Sequence, residues 1–276
     1  MSFALDNDAL VVIGRDCIHR REPDGTWWRE THAVHGVLAA DIERRVGWTI
    51  VSGGGSVLSF DLDILQTRNE LSARATGLAL LPDGALAICE GGSSRARITV
   101  DGRRWGPELP VRPAATDLRL SASPFGAGLA CGRTGQAWTL GPHGATPLPP
   151  PKLFEARDEI GMSAMPLAEG YLAIACFAAR DTRIARIDPD GHRHLLVRDG
   201  WQALAGVLAD GTICGWDGEA LFLARDSEVR RFKPTTRGMW SSLATGPGQF
   251  GLRDGEGVLR ARIDGEELAQ EYFPLP

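Results

Sequence analysis

Residues 77–105 read GLALLPDGALAICEGGSSRARITVDGRRW. The string runs apolar strand, PDG turn, apolar strand, Gly/Ser loop, alternating strand, DG turn, polar strand. Asp-Gly supplies the positive φ that tight hairpin turns demand, and alternation marks a strand with one face buried. Two successive hairpins follow, giving four antiparallel strands, here lettered A to D.

The same unit recurs along the chain. Its C-to-D turn is marked at Asp24-Gly25, Asp61 to Asp63, Asp101-Gly102, His143-Gly144, Asp190-Gly191, Asp226 to Glu228 and Asp264-Gly265, spaced 37 to 47 residues apart. Its A-to-B turn is marked independently near Asp8, Arg45, Asp83, Gly126, Glu169, Asp210 and Gly248, spaced 37 to 43 residues apart. A period near ~40 residues is that of a four-stranded propeller blade. A single Asp-Gly is only a common turn dipeptide, whereas two ladders of seven in register define an all-β, seven-bladed β-propeller of four-stranded antiparallel blades. The expected blades are 1–33, 34–74, 75–113, 114–158, 159–200, 201–237 and 238–276, one propeller domain filling residues 1–276. Two closures stay open: a last blade built from the C-terminus alone, or one shared with the strand at Met1 to Leu5. Pro147, Pro149, Pro150 and Pro151 lack the amide donor of an inner strand, so an irregular excursion is expected from there to about Met162.

Composition agrees with this reading. The 34 glycines and 17 prolines spread over 276 residues favour many short turns over long helices. With 43% hydrophobic residues the chain has ample material for a core. The formal charge of −5 provides no field to attract nucleic acid or an anionic membrane. No window reaches the ~20 apolar residues of a spanning helix. Asp6, Asn7 and Asp8 interrupt the only N-terminal apolar run, so the chain is expected in the cytoplasm and monomeric when alone. Cys17, Cys89, Cys131, Cys176 and Cys214 include no CxxC pair. All five read as reduced core thiols, and the last four fall late in strand B of consecutive blades.

The segments LLPDGALAICEGG (80–92), RIARIDPDGHRHLLV (183–197) and VLADGTICGW (207–216) resemble the repeats of the NHL, YVTN and SMP-30-like propeller group. That resemblance implies the propeller fold and carries no single activity. A standard WD40 protein is disfavoured, since Trp216-Asp217 stands alone. SMP-30-like lactonases hold a divalent cation with Glu, Asp and Asn side chains. Here Asn7 and Asn69 are the only asparagines, which leaves Asp117 and Glu159 as the alternative metal ligands and a divalent cation as the alternative cofactor. Bacterial streptogramin lyases are a second enzymatic likeness, but their Trp-Phe-Thr-Glu-like strand signature is missing. His35 is the only candidate base near the expected channel mouth.

In a propeller the D-to-A and B-to-C loops share one face. Here they carry an excess of Arg and Trp, and the candidate binding residues are Arg15, Arg95, Arg133, Arg180, Trp201, Arg237, Trp240 and Arg253. Arg forks and Trp faces supply much of the contact energy of protein interfaces. The same arginines also read as solvated loop residues, and the tryptophans as packing between blades. Trp27 and Trp28 point to opposite faces of one strand, and His192 and His194 to the same face of an outer one. The expectation is therefore a non-catalytic protein-binding platform without a cofactor, such as a toxin-neutralising immunity protein or an assembly subunit. The alternative is a metal-assisted, lactonase-like hydrolase or a lyase at the channel mouth.

Overall fold

The computed structural model of the chain describes residues 3–6, 8–14, 16–90, 95–99, 104, 108–110, 118–132, 134–141, 144–153, 160–177, 181–225 and 228–276. Among them there is no helix, and so none long and apolar enough to cross a membrane. Seven four-stranded antiparallel sheets, each contiguous in sequence, make the seven blades of a β-propeller. Two compact units divide the chain: Met1–Thr116 with Pro142–Gly144, and Asp117–Gly141 with Ala145–Pro276.

The first unit contains three blades. Blade one is β1 (Phe3–Asp6), β2 (Ala9–Ile13), β3 (Cys17–Arg21) and β4 (Trp27–Thr31). Blade two is β5 (Val34–Asp41), β6 (Val46–Val51), β7 (Val57–Asp61) and β8 (Thr67–Leu71). Blade three is β9 (Ala75–Leu80), β10 (Leu86–Glu90), β11 (Arg95–Thr99) and β12 (Glu108–Pro110). The inner strands are apolar on both faces because each sheet packs against a neighbour on either side. Val11, Ile13 and Ile18 of blade one meet Val34, Leu38, Leu58 and Phe60 of blade two. Trp48 and Ile50 point the other way, onto Leu78, Leu86 and Ile88 of blade three.

A buried ionic clasp joins blades one and two at their turns. Arg20, only 7% exposed in its side chain, donates to Asp6 Oδ2 at 3.2 Å, to Glu22 Oε1 at 2.7 Å and to the Leu62 carbonyl at 3.0 Å. Arg45 closes the circuit with Asp6 at 2.7 Å and Asp63 at 2.5 Å. The Arg45 guanidinium holds the Asp63 carboxyl below its ordinary range, and Arg68 does the same for Asp61.

The second unit contains four blades. Blade four is β13 (Leu118–Ser123), β14 (Gly126–Cys131), β15 (Gln136–Gly141) and β16 (Gly144–Leu148), whose first residue is grouped with the first unit. Blade five is β17 (Ile160–Pro166), β18 (Tyr171–Phe177), β19 (Asp181–Ile187) and β20 (Arg193–Trp201). Blade six is β21 (Leu204–Val207), β22 (Ile213–Trp216), β23 (Leu221–Arg225) and β24 (Glu228–Phe232). Blade seven is β25 (Ser242–Gly246), β26 (Gln249–Arg253), β27 (Gly257–Asp264) and β28 (Glu267–Pro274). The last sheet is thus built from the C-terminus alone, while the N-terminal strand pairs within blade one.

Two-sided burial recurs here residue by residue. Ile213 packs with Leu172, Ile184 and Phe222, whereas its neighbour Cys214 packs with Trp240, Phe250 and Leu252. Pro147 sits on the edge strand β16, where its missing amide is harmless. The stretch after it is stapled to blade five: the Tyr171 hydroxyl donates to the Pro149 carbonyl, Arg193 Nη1 to the Lys152 carbonyl at 2.5 Å and Arg183 Nη1 to the Leu153 carbonyl at 2.7 Å. Strand resumes at Ile160, slightly before the end expected for the excursion.

The clasp sets two measurable stabilities. Arg20→Ala, which strips a buried Asp6 of one cation, is expected to cost about 3 kcal/mol in denaturant unfolding. Asp61 and Asp63 have folded pKa values below their unfolded ones, so their stabilisation is complete above about pH 4 and is lost as pH falls through the depressed values. The denaturation midpoint of the wild type should therefore fall more steeply on acidification than that of Arg45→Met, in which Asp63 has lost its main partner.

Candidate functional site

Aspartates in the turns that mark the repeat are consumed locally. Asp24, Asp83, Asp190 and Asp210 each accept, through Oδ1, the amide two residues on, from Thr26, Ala85, His192 and Thr212, at 2.8 to 3.0 Å. Such Asx turns are why Asp precedes Gly at these bends, and Gly84 then takes φ +82°. The B-to-C turns of blades six and seven repeat the device in a D-G-E sequence. Asp217 Oδ1 accepts the Glu219 and Ala220 amides at 3.0 and 2.8 Å, and Asp254 Oδ1 accepts those of Glu256 and Gly257 at 2.8 and 2.7 Å. Arg231 Nε completes the first by bonding Asp217 Oδ2 at 2.8 Å. These carboxylates serve the turns that carry them.

The loop face of the second unit offers different chemistry. Trp201 closes β20 opposite Asp181 and is 57% exposed. It thus ends the D strand of blade five, one residue beyond the boundary expected from sequence. Gln202 takes a left-handed φ of +49° and turns the chain into blade six. Gly218 lies against the Trp201 backbone so closely that a Cβ would come within 2.7 Å of its amide nitrogen. The blade-six turn therefore packs against the Trp201 backbone, while the side chain stays exposed. The connection between β24 and β25 exposes Arg237 and, two residues on, Met239 at 75%. Arg253 ends β26 half-buried, and its carbonyl accepts the Ser241 amide at 2.8 Å and hydroxyl at 3.2 Å. Trp201, Arg237, Met239 and Arg253 all belong to the D-to-A and B-to-C ends of blades five, six and seven.

Trp240 is corrected from a contact anchor to a core residue. It is 2% exposed and packs with Leu221, Phe250, Leu252 and Leu259. The connection alternates outward and inward, so Arg237 and Met239 point out while the larger apolar ring turns in. Met239, not among the residues expected from sequence, is the exposed group of that pair, and no local pattern sets the phase that separates it from Trp240. Arg15, Arg133, Arg180, Asp117 and Glu159 lie outside the described residues. Arg95 opens β11, its backbone paired with Pro110.

The remaining candidates resolve as follows. His35 lies on β5, its backbone paired with Ile50, and the neighbouring His32 is half-buried with Nε2 3.4 Å from the Leu65 carbonyl. His194 Nε2 bonds Asp188 Oδ2 at 2.8 Å, and that contact holds the Asp188 carboxyl below its ordinary range. Among the described residues no three His, Cys, Asp or Glu side chains are grouped to hold a metal ion. Cys89, Cys131, Cys176 and Cys214 all lie in second strands and are unbridged; burial pushes the Cys214 thiol pKa up. Trp28 is exposed on β4, whereas Trp27 sits edge-on to the His19 ring at 6.2 Å.

The fold and this loop surface define the class as a seven-bladed β-propeller. No protein-family model and no curated protein matches the sequence. Among solved structures the chain is similar to a catalytically inactive virginiamycin B lyase from Staphylococcus aureus with quinupristin, at TM-score 0.63 and 12% identity, over 96% of this chain and 87% of that one. It is also similar to the dihydro-heme d1 dehydrogenase NirN, at TM-score 0.62 and 11% identity, over 99% of this chain and 65% of that one. A prolyl endopeptidase gives TM-score 0.62 and 11% identity, over 99% of this chain and 50% of that one. These similarities establish the fold they share.

The two tryptophans should separate on truncation. Trp240→Ala is expected to cost about 3 to 5 kcal/mol in denaturant unfolding, the range for emptying a large buried ring site. Trp201→Ala should stay within about 0.5 kcal/mol of wild type in the same measurement, as surface changes do.

Proposed function

We propose that this chain is a non-catalytic binding protein that holds a protein partner against the loop ends of blades five to seven. The observation that supports the reading is the joint exposure of Trp201, Met239 and Arg237 on those ends. An exposed indole brings a large apolar surface with few rotatable bonds, a thioether adapts to an apolar socket, and a guanidinium grips a carboxylate through two parallel bonds. The fitting partner therefore presents an acidic residue beside an apolar recess. A toxin bound by its immunity protein, or a neighbouring subunit of an assembly, has this chemistry.

The test is affinity capture from the native cell followed by titration of the purified pair. Trp201→Ala and Arg237→Ala should each weaken binding about tenfold or more, as loss of an interface anchor does. A partner held equally well by the double variant overturns the reading. The rival, a metal-assisted hydrolase or lyase, is favoured instead if the purified protein carries a stoichiometric divalent cation that is lost in Asp117→Ala or Glu159→Ala.

A further inference from the structure

Blade one carries a nucleophile and a base within bonding distance of each other. Cys17 and His19 are two apart on β3, so both side chains leave the same face of the strand. Cys17 Sγ lies 3.0 Å from His19 Nε2. The imidazole is oriented by Trp27, whose ring stands at 89° to it. Glycine at position 14 is what leaves room for the pair: a Cβ there would lie 2.7 Å from Sγ and 3.2 Å from Nε2. Of the other four cysteines, Cys89 and Cys176 bond threonine hydroxyls and Cys214 a backbone carbonyl.

Two further features suit a thiol that reacts. On the same face of the blade, directly across β4, His19 is paired with Arg29 and Cys17 with Thr31, and both partners are exposed. Solvent therefore comes within one strand spacing of the sulfur, although Cys17 itself is only 4% exposed. Arg21, two residues beyond His19, shares that face with Arg29, so cations flank the imidazole on its own strand and on the next.

We infer that Cys17 is a modification site, a His19-activated thiol that takes up a low-molecular-weight disulfide. In the step, His19 Nε2 accepts the Sγ proton and the Cys17 thiolate attacks one sulfur of the disulfide. The Sγ–S bond forms as the S–S bond breaks. The departing thiolate recovers the proton from His19, leaving a mixed disulfide on Cys17 and one free small thiol.

The experiment exposes the folded, reduced chain to hydroxyethyl disulfide and follows each cysteine by peptide mass spectrometry. The decisive comparison is with Cys176, which is more exposed than Cys17 and whose sulfur lies 3.5 Å from the Thr182 hydroxyl. Cys17 should be modified at least about fivefold faster than Cys176 in the wild type, because base activation outweighs the difference in access. His19→Gln should slow Cys17 about tenfold or more while the other four rates stay unchanged. Equal or faster modification of Cys176 in the wild type overturns the inference, as does a Cys17 rate that ignores His19→Gln in a folded variant. If that variant labels all five cysteines, its fold is lost and the wild-type ranking alone decides.

Discussion

Burial of both faces of the inner strands is the constraint from which the rest follows. A strand such as β22 sends Ile213 into one apolar cluster and Cys214 into the next. A sheet built this way has two greasy faces and no stable existence apart from its neighbours, so blade packing and blade formation are one event. Ala9 to Ile13 is buried at every position for that reason. Charged groups enter such a structure only as complete networks. Arg20 is admitted between blades one and two because Asp6, Glu22 and the Leu62 carbonyl all meet it.

The same economy shapes the loop face. A turn that must reverse the chain in two or three residues uses its aspartate to hold its own amides, as Asp217 and Asp254 do. Acidic side chains so engaged are poor candidates for gripping a ligand. Among the groups left outward on the described loop ends of the second unit are the Trp201 indole, the Met239 thioether and the Arg237 guanidinium. Their chemistry is that of contact, with an aromatic plate, a soft apolar arm and a planar cation.

The blade ladder was legible because its signal is local and repeated. Asp83-Gly84 closes by a bond from a side chain to the amide two residues on, which any reader of the sequence can anticipate. The end of strand D in blade five is less legible, since the left-handed turn after Trp201 is taken by Gln202 and not by a glycine. Trp240 and Met239 could not be ranked as buried and exposed without knowing the phase of a connection that lacks ladder bonds on both sides. The clasp of Asp6, Arg20, Arg45 and Asp63 spans separations that no local pattern encodes. Cys17 and His19 were within reach: the two-residue spacing that places His192 and His194 on one face applies to them equally.

Cys17, in a third strand, and Cys214, in a second strand, show how the residue two places on sets the surroundings of a buried thiol. Both are small thiols in strands with apolar cores around them, 4% and 0% exposed. Two residues beyond Cys214, on the same face, stands Trp216, packed against the cluster that holds the sulfur. Burial there disfavours the thiolate, and the nearest polar contact is a carbonyl 3.8 Å away. Two residues beyond Cys17, in the third strand of its blade, stands His19, with Nε2 3.0 Å from the sulfur. Each strand accommodates a compact, largely buried sulfur. Whether it is an inert packing atom or a nucleophile is decided by the one residue two places on, a choice that costs the blade nothing in packing so long as Gly14 leaves room for the pair.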